Sequence, residues 1–259
     1  MATKRLLALL ALTTLIAAGC GSDSEPSTEP ATDIDAGAAA VATDATAETT
    51  DAVAEVTDAG NADTSDPAPS DASATDADCP PVDGADTQTR QFDAAPPMCL
   101  QPGATYEAIV TTNKGEFTIA LDPETGPMAA NNFVFLARNQ YFDDTVCHRI
   151  IPNFVVQCGD PTATGTGGPG YTIVDEPPAP GQYQIGSIAM AKTQAPDSAG
   201  SQFFIITGSD GAGLPPEYAL FGQVVDGFET TVEQMAAAGT PDGVPSEAIE
   251  IQSIRIVQS

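Results

Sequence analysis

Between Arg5 and Arg90 the chain carries no lysine or arginine, and its first aromatic residue is Phe92. Half of the acids, 18 of 36, fall between Gly21 and Pro97. A stretch of Ala, Asp, Thr and Pro without aromatic side chains cannot bury enough apolar surface to offset its chain entropy. Residues 20–100 are therefore expected to form a disordered acidic linker. The interior must come from the remainder, about 160 residues, which suits one domain with a proper core. A formal charge of −28 repels nucleic acid, so no such partner is expected. His148 is the sole histidine, which excludes a two-histidine metal site and a histidine acid–base pair. No metal is expected.

Lys4 and Arg5 precede an apolar run over residues 6–18. A run of that length is too short to span a ~30 Å hydrocarbon core as a helix, but it fits the apolar region of a secretory signal. It ends in Leu15-Ile16-Ala17-Ala18-Gly19-Cys20. Small residues before a cysteine resemble the lipobox of bacterial lipoproteins, in which that cysteine is lipidated and becomes the mature N-terminus. The expectation is a signal peptide at 1–19, lipidation at Cys20 and an extracytoplasmic protein. It would be anchored to a bacterial membrane through lipid alone, at the cell surface or facing the periplasm. An ordinary secreted chain with a stray cysteine, or a short buried helix, are the alternatives. The linker would hold the domain off the membrane by roughly 50 Å.

Four cysteines remain, Cys79, Cys99, Cys147 and Cys158. An even number outside the cytoplasm suggests disulfides, and four allow three connectivities. Proximity favours Cys79–Cys99 and Cys147–Cys158, against the alternative of small buried thiols. A two-residue turn at Pro152-Asn153 would set Cys147 opposite Cys158.

Residues 107–112 and 116–121 are β-rich runs separated by Asn113-Lys114-Gly115, a hairpin signal. Residues 128–138 read as a helix opened by Gly126-Pro127, and residues 228–238 as a second. Further strands are expected over 145–151, 154–157, 185–191, 202–207, 219–225 and 248–257. About eight strands and two helices joined by short connections argue a mainly β fold, a closed antiparallel barrel capped by two helices. The run Gly165-Thr166-Gly167-Gly168-Pro169-Gly170 lacks the Lys-Ser/Thr and the following helix of a phosphate cradle, and reads as a turn-rich loop.

Two segments place polar side chains inside apolar β-rich runs, where they must be partnered or line a cleft. One is His148-Arg149-Ile150-Ile151-Pro152 leading into Phe154 and Gln157-Cys158-Gly159-Asp160. The other is Gly200-Ser201-Gln202-Phe203-Phe204. With Gly165-Thr166-Gly167-Gly168, Met190-Ala191 and Leu220-Phe221-Gly222 between and after them, they resemble the cyclophilin family of peptidyl-prolyl isomerases. The likeness runs from Tyr106 to the C-terminus and places the domain at 101–259. It implies a closed eight-stranded antiparallel barrel with two helices and no cofactor.

It also implies a site. Arg149 would be catalytic. Phe154, Val155, Phe204, Leu214 and Tyr218 would line a proline pocket, with Gln157 orienting Arg149. Gln202 and His148 would complete a polar wall, and the backbone at Ala191 and Lys192 would hold the substrate's peptide groups. The partners would be proline-containing peptides and unfolded proteins, met by a monomer. The chain departs from the family at Cys147 and Cys158, at Val155 where Met is common, at Tyr218 where some members have His, and at Gly213 where some carry Trp. These departures bear on cyclosporin binding more than on catalysis. They motivate an alternative, a non-catalytic proline-peptide-binding or chaperone module at the membrane surface. Simple alternation also sets Arg149 and Gln157 on opposite faces of a two-residue hairpin. Bringing both to one site requires a bulge or a wider turn, which would strain a Cys147–Cys158 bridge.

Overall fold

The structure, a computed structural model, describes residues 79–259. The expected signal peptide, Cys20 and most of the acidic linker lie outside the described residues.

The strands are β1 (Tyr106–Thr112), β2 (Gly115–Leu121), β3 (Thr145–Val146), β4 (Arg149–Ile151), β5 (Val155–Cys158), β6 (Ser187–Met190), β7 (Phe203–Ile206), β8 (Leu220–Asp226) and β9 (Glu250–Gln258). They form one sheet in the order β3-β9-β1-β2-β8-β6-β7-β5-β4, every pair antiparallel. The helices are α1 (Pro127–Arg138), a single turn α2 (Ser209–Ala212), and α3 (Glu233–Ala236), which continues a wider helical turn at Phe228–Val232. The expected second helix is thus present as two short pieces.

α1 begins at Pro127, whose missing N–H costs nothing there. Its N-cap, Gly126, supplies no side chain. Glu176 takes over, accepting from the amides of Met128 and Ala129 at 2.9 Å each and placing a carboxylate at the positive end of the helix. The helix lies in the core, where Phe133 meets Phe142, Phe203 and Phe221 at centroid distances of 5.1, 5.3 and 5.3 Å.

The closed eight-stranded barrel is corrected to an open nine-stranded sheet. The expected strand over 145–151 breaks at Cys147-His148. Its first part pairs with β9 and its second with β5, so the halves become opposite ends of the sheet. The free edge of β4 is met by a loop instead of a strand. Ile150 N–H donates to Gly243 O (2.9 Å), and Ile150 O accepts from Thr240 N–H (3.2 Å). An edge covered this way is protected from pairing with other chains.

Both expected disulfides are formed, but the register differs from a two-residue turn. Arg149 pairs with Gln157, Ile150 with Val156 and Ile151 with Val155. That pattern needs a three-residue turn over 152–154, with Asn153 in the left-handed region at φ 59°. The break at Cys147-His148 then lets Cys147 reach Cys158 despite the changed register, with their Cα atoms 4.0 Å apart. The bridge ties the two ends of an 11-residue separation next to the sheet edge. Removing it as Cys147→Ala with Cys158→Ala is expected to cost about 2–3 kcal/mol through the freed unfolded chain. Urea unfolding of the double variant beside the parent under non-reducing conditions checks this, and coincident midpoints would refute it.

The linker boundary also moves. Residues 79–100, expected to end the disordered stretch, lie against the domain. The Ala85 and Thr89 amides donate to Arg138 O (2.7 Å) and Asn139 O (3.0 Å) at the end of α1. Composition missed this because these residues bury little of their own surface. They are held by backbone and side-chain hydrogen bonds, by the Phe92 ring packed against the core, and by the Cys79–Cys99 bridge.

Candidate active site

β7 is a continuous apolar run and β5 is interrupted only by Gln157, because both faces of the sheet are largely buried there. Val156, Cys158, Phe203 and Ile205 point into the main core. Val155, Phe204 and Ile206 point to the other face, where with Tyr183 and Ala189 they make a second cluster. Phe154, Ala191, Ala212, Leu214, Tyr218 and Leu220 pack against it, half-buried. Phe204 and Tyr218 meet edge-on at 5.4 Å between centroids. The result is an apolar slot on the sheet's outer face.

Arg149 and Gln157 arrive beside that slot by register. Gln157 sits opposite Arg149 on one side and Phe204 on the other. The three side chains share the outer face, since opposed residues point the same way. Arg149 Nη1 donates to Gln157 Oε1 (3.2 Å), and Gln157 Nε2 donates to Gln202 Oε1 (2.9 Å). Gln202 Nε2 in turn donates to the carbonyls of Gly165 (2.9 Å) and Gly167 (3.1 Å). Each amide is committed at both ends, so the relay has one orientation. The guanidinium carbon lies 5.7 Å from the Phe154 ring centroid, a cation–π distance. No other guanidinium nitrogen of Arg149 has a hydrogen-bond partner among the described residues. Burial pulls its pKa down, opposed by Tyr218, yet a guanidinium stays charged at any ordinary pH.

Of the expected site residues, Arg149, Phe154, Val155, Gln157, Ala191, Gln202, Phe204, Leu214 and Tyr218 come together here. The Lys192 side chain is ion-paired with Asp175. Its backbone N–H and C=O have no partner among the described residues. Ala191 N–H is spent on Gln202 O (2.9 Å). His148 stands apart from the slot. Its ring lies under Gly165, close enough that a Cβ there would contact it at 3.8 Å. Both ring nitrogens are enclosed without a hydrogen-bond partner among the described residues. Burial pushes its pKa below the usual value, Asp160 opposes that, and Arg149 reinforces it.

Two elements were missed by sequence reasoning. Tyr183 holds the slot from beneath, its hydroxyl donating to Tyr218 O (2.6 Å) and accepting from Tyr218 N–H (2.9 Å). Burial pushes its pKa up to about 12. Gly243, at φ 83°, packs so close to Arg149 that a Cβ would lie 3.3 Å from Cγ. Neither carries a local signal, because each reaches the site through long-range packing. Beyond Gln157 and Gln202 the slot opens into a groove of about 350 Å³, walled by residues 165–169, Tyr171, Ala191 and Lys192.

Residues 108–256 match the family model described as cyclophilin type peptidyl-prolyl cis-trans isomerase/CLD. A probable peptidyl-prolyl cis-trans isomerase B of Mycobacterium leprae is 35% identical over 172 residues, 59% of this chain and 57% of that protein. The chain therefore spans little more than half that relative's length. Peptidyl-prolyl cis-trans isomerase A of Mycobacterium tuberculosis is 34% identical over 172 residues, 60% of this chain and 94% of that one. The crystal structure of a Cryptosporidium parvum cyclophilin type isomerase superposes with a TM-score of 0.55 at 34% identity, covering 59% of this chain and 98% of its own. The same protein, crystallised in the presence of the dipeptide Ala-Pro, gives 0.54 at 34% identity over 58% and 98%. With family match, fold and outer-face constellation coinciding on one stretch of sequence, this chain belongs to the cyclophilin-type peptidyl-prolyl cis-trans isomerase family.

Proposed function

We propose that the domain accelerates rotation about X-Pro bonds in secreted or cell-envelope proteins, and that Arg149 is its catalytic residue. The observation that carries this is one charged fork, tied at Nη1 and otherwise uncommitted, at the lip of an apolar slot.

Rotation costs about 20 kcal/mol because amide resonance is lost at the perpendicular geometry. Uncatalysed, it takes tens to hundreds of seconds. No bond breaks. In the twisted state the proline nitrogen regains its lone pair, and a donor facing it stabilises that state more than the planar one. Phe154, Val155, Phe204, Leu214 and Tyr218 hold the ring and exclude water, which strengthens the hydrogen bond from Arg149. The free backbone groups of Lys192 hold one side of the bond while the other turns. Gln157 and Gln202 keep the guanidinium in place. His148 takes no part in proton transfer.

The protein works as a monomer outside the cytoplasm, tethered through lipid on Cys20. The sequence over residues 4–20 supports the tether, and two disulfides, which persist where the environment is oxidising, support the location. Exchange NMR on a short Ala-Pro peptide tests the activity. Accelerated cis–trans exchange is expected. Binding without exchange would leave a non-catalytic peptide-binding module in its place.

A further inference from the structure

Residues 79–100 precede the family-matched span and make a strap of their own. Cys79–Cys99 closes it. Asn131 of α1 clasps its end, accepting from Cys99 N–H (2.7 Å) and donating to Pro97 O (2.8 Å). Gln88 donates to Gln140 O and Asp143 O, and Arg90 to Asp143 O. At Gln91 and Phe92 the strap leaves the helix and meets the glycine-rich loop. Phe92 N–H donates to Pro169 O (2.8 Å) and Gln91 Nε2 to Gly168 O (3.1 Å). Gly170, at φ 99°, approaches so closely that a Cβ would lie 2.5 Å from Phe92 O. The Phe92 ring packs on Phe135 at 5.0 Å and on Tyr171 at 6.2 Å.

The same loop forms the wall of the groove beside Arg149. On the inside it is held by Gln202 and by Asp160. On the outside, its described hydrogen bonds at Gly168 and Pro169 come from the strap. The wall is mostly glycine, which loses more entropy on ordering than any other residue. An external clamp lowers the cost of ordering it around a ligand.

We propose that the strap is a positioning element for the groove, with Phe92 and Gln91 fixing its outer wall. Peptides long enough to enter the groove would then depend on residues outside the matched domain. This rests on the isomerase reading of the site. The strap bonds Gly168 and Pro169, whereas the carbonyls that bind Gln202 belong to Gly165 and Gly167, whose amides Asp160 holds, so a peptide confined to the slot does not sense the strap.

The test uses the full chain with Phe92→Ala, Gln91→Ala and the pair Cys79→Ser with Cys99→Ser. Exchange and binding are read in the same NMR titrations, with a two-residue Ala-Pro probe and with an eight-residue peptide centred on Ala-Pro. For Phe92→Ala the long peptide's KM and Kd should rise about tenfold with kcat unchanged, while the dipeptide's values stay at the parent's. Phe92→Leu should recover most of that loss. Gln91→Ala, which removes one exposed hydrogen bond, should raise the same constants about twofold. The cysteine pair reports the same quantity where Phe92→Ala fails to fold. Equal constants for parent and variants on the long peptide would overturn the proposal, as would an equal loss on both probes. Absence of exchange in the parent would instead overturn the isomerase reading, and Kd would still decide the strap's role.

Discussion

Arg149→Ala is expected to lower kcat/KM for Ala-Pro peptides by about 10²–10³-fold, the loss typical of removing one preorganised donor from a developing charge. The loss should fall on kcat, because planar substrate gains little from the guanidinium and the twisted imide gains much. Arg149→Lys should fall nearly as far. It keeps the charge, but a compact ammonium on a flexible stem cannot hold Gln157 and a substrate nitrogen at once. Gln157→Ala should cost about tenfold in kcat with KM steady, as expected for a residue that orients the donor and does not touch the ring. The fold should survive, since Arg149 is half-buried on a three-residue edge strand and its ties are to side chains. No limb should appear in the pH–rate profile between pH 7 and 9, because Arg149 stays charged and burial keeps His148 neutral. Progress curves for parent and variants at matched folded fractions decide it. A variant within twofold of the parent would remove Arg149 from the mechanism.

Much of this site is legible in the sequence for a physical reason. A polar side chain in a strand buried on both faces must be partnered or exposed to a cleft, so Arg149, Gln157 and Gln202 stand out from their apolar neighbours. The turn that brings them together does not. Pro152-Asn153 suggests two residues, and only Asn153 in the left-handed region, donating to Ser209 Oγ and accepting from Ser209 N–H, makes it three. That one-residue change moves Gln157 to Arg149's face and resolves the conflict between the cleft and the Cys147–Cys158 bridge. Closure of the sheet is illegible for a related reason. Alternation over 145–151 looks like one strand, and the break at Cys147-His148 is decided by partners over 90 residues away on β9. The strap is hidden because an acidic, aromatic-poor composition describes how little a segment buries, not what its backbone can bond to. Tyr183 and Gly243 act on the site only once the chain has folded around them.

The loop that Gln202 grips depends on one carboxylate. Asp160 is fully buried, and its two oxygens accept from the amides of Thr162 (2.7 Å), Thr164 (3.1 Å), Gly165 (2.7 Å) and Gly167 (3.1 Å), and from the Thr162 hydroxyl (2.7 Å). Burial pushes its pKa up, but the Thr162 hydroxyl and the amides outweigh this and hold it at about 2. Asp160→Ala would strand these donors around an empty centre, at an expected cost of about 3–5 kcal/mol. Asp160→Asn should cost less, since one oxygen remains while the new NH₂ faces amides that also donate. The sign of the pH effect follows from the lowered pKa. Stability from Asp160 is complete above the ordinary aspartate value near 3.9 and is lost as pH falls toward 2. His148 acts in the same direction but earlier. Its depressed pKa makes protonation favour the unfolded chain from about pH 6.5 downward. Urea unfolding of parent and Asp160→Asn should therefore show a gap that widens as pH falls below 6.5, because the variant lacks the charge that opposes the depression of the His148 pKa, and that closes between pH 4 and 2. Both proteins should lose stability below pH 6.5, since His148 is present in each, and Asp160→Asn should lose more. A gap that stays open at pH 2 would mean that the carboxylate's charge does not hold the loop. Because Gly165 and Gly167 carry both the amides that Asp160 binds and the carbonyls that Gln202 binds, the same variant should lower kcat at neutral pH. The loss should be smaller than that of Arg149→Ala, because the donor remains and only its framework is loosened.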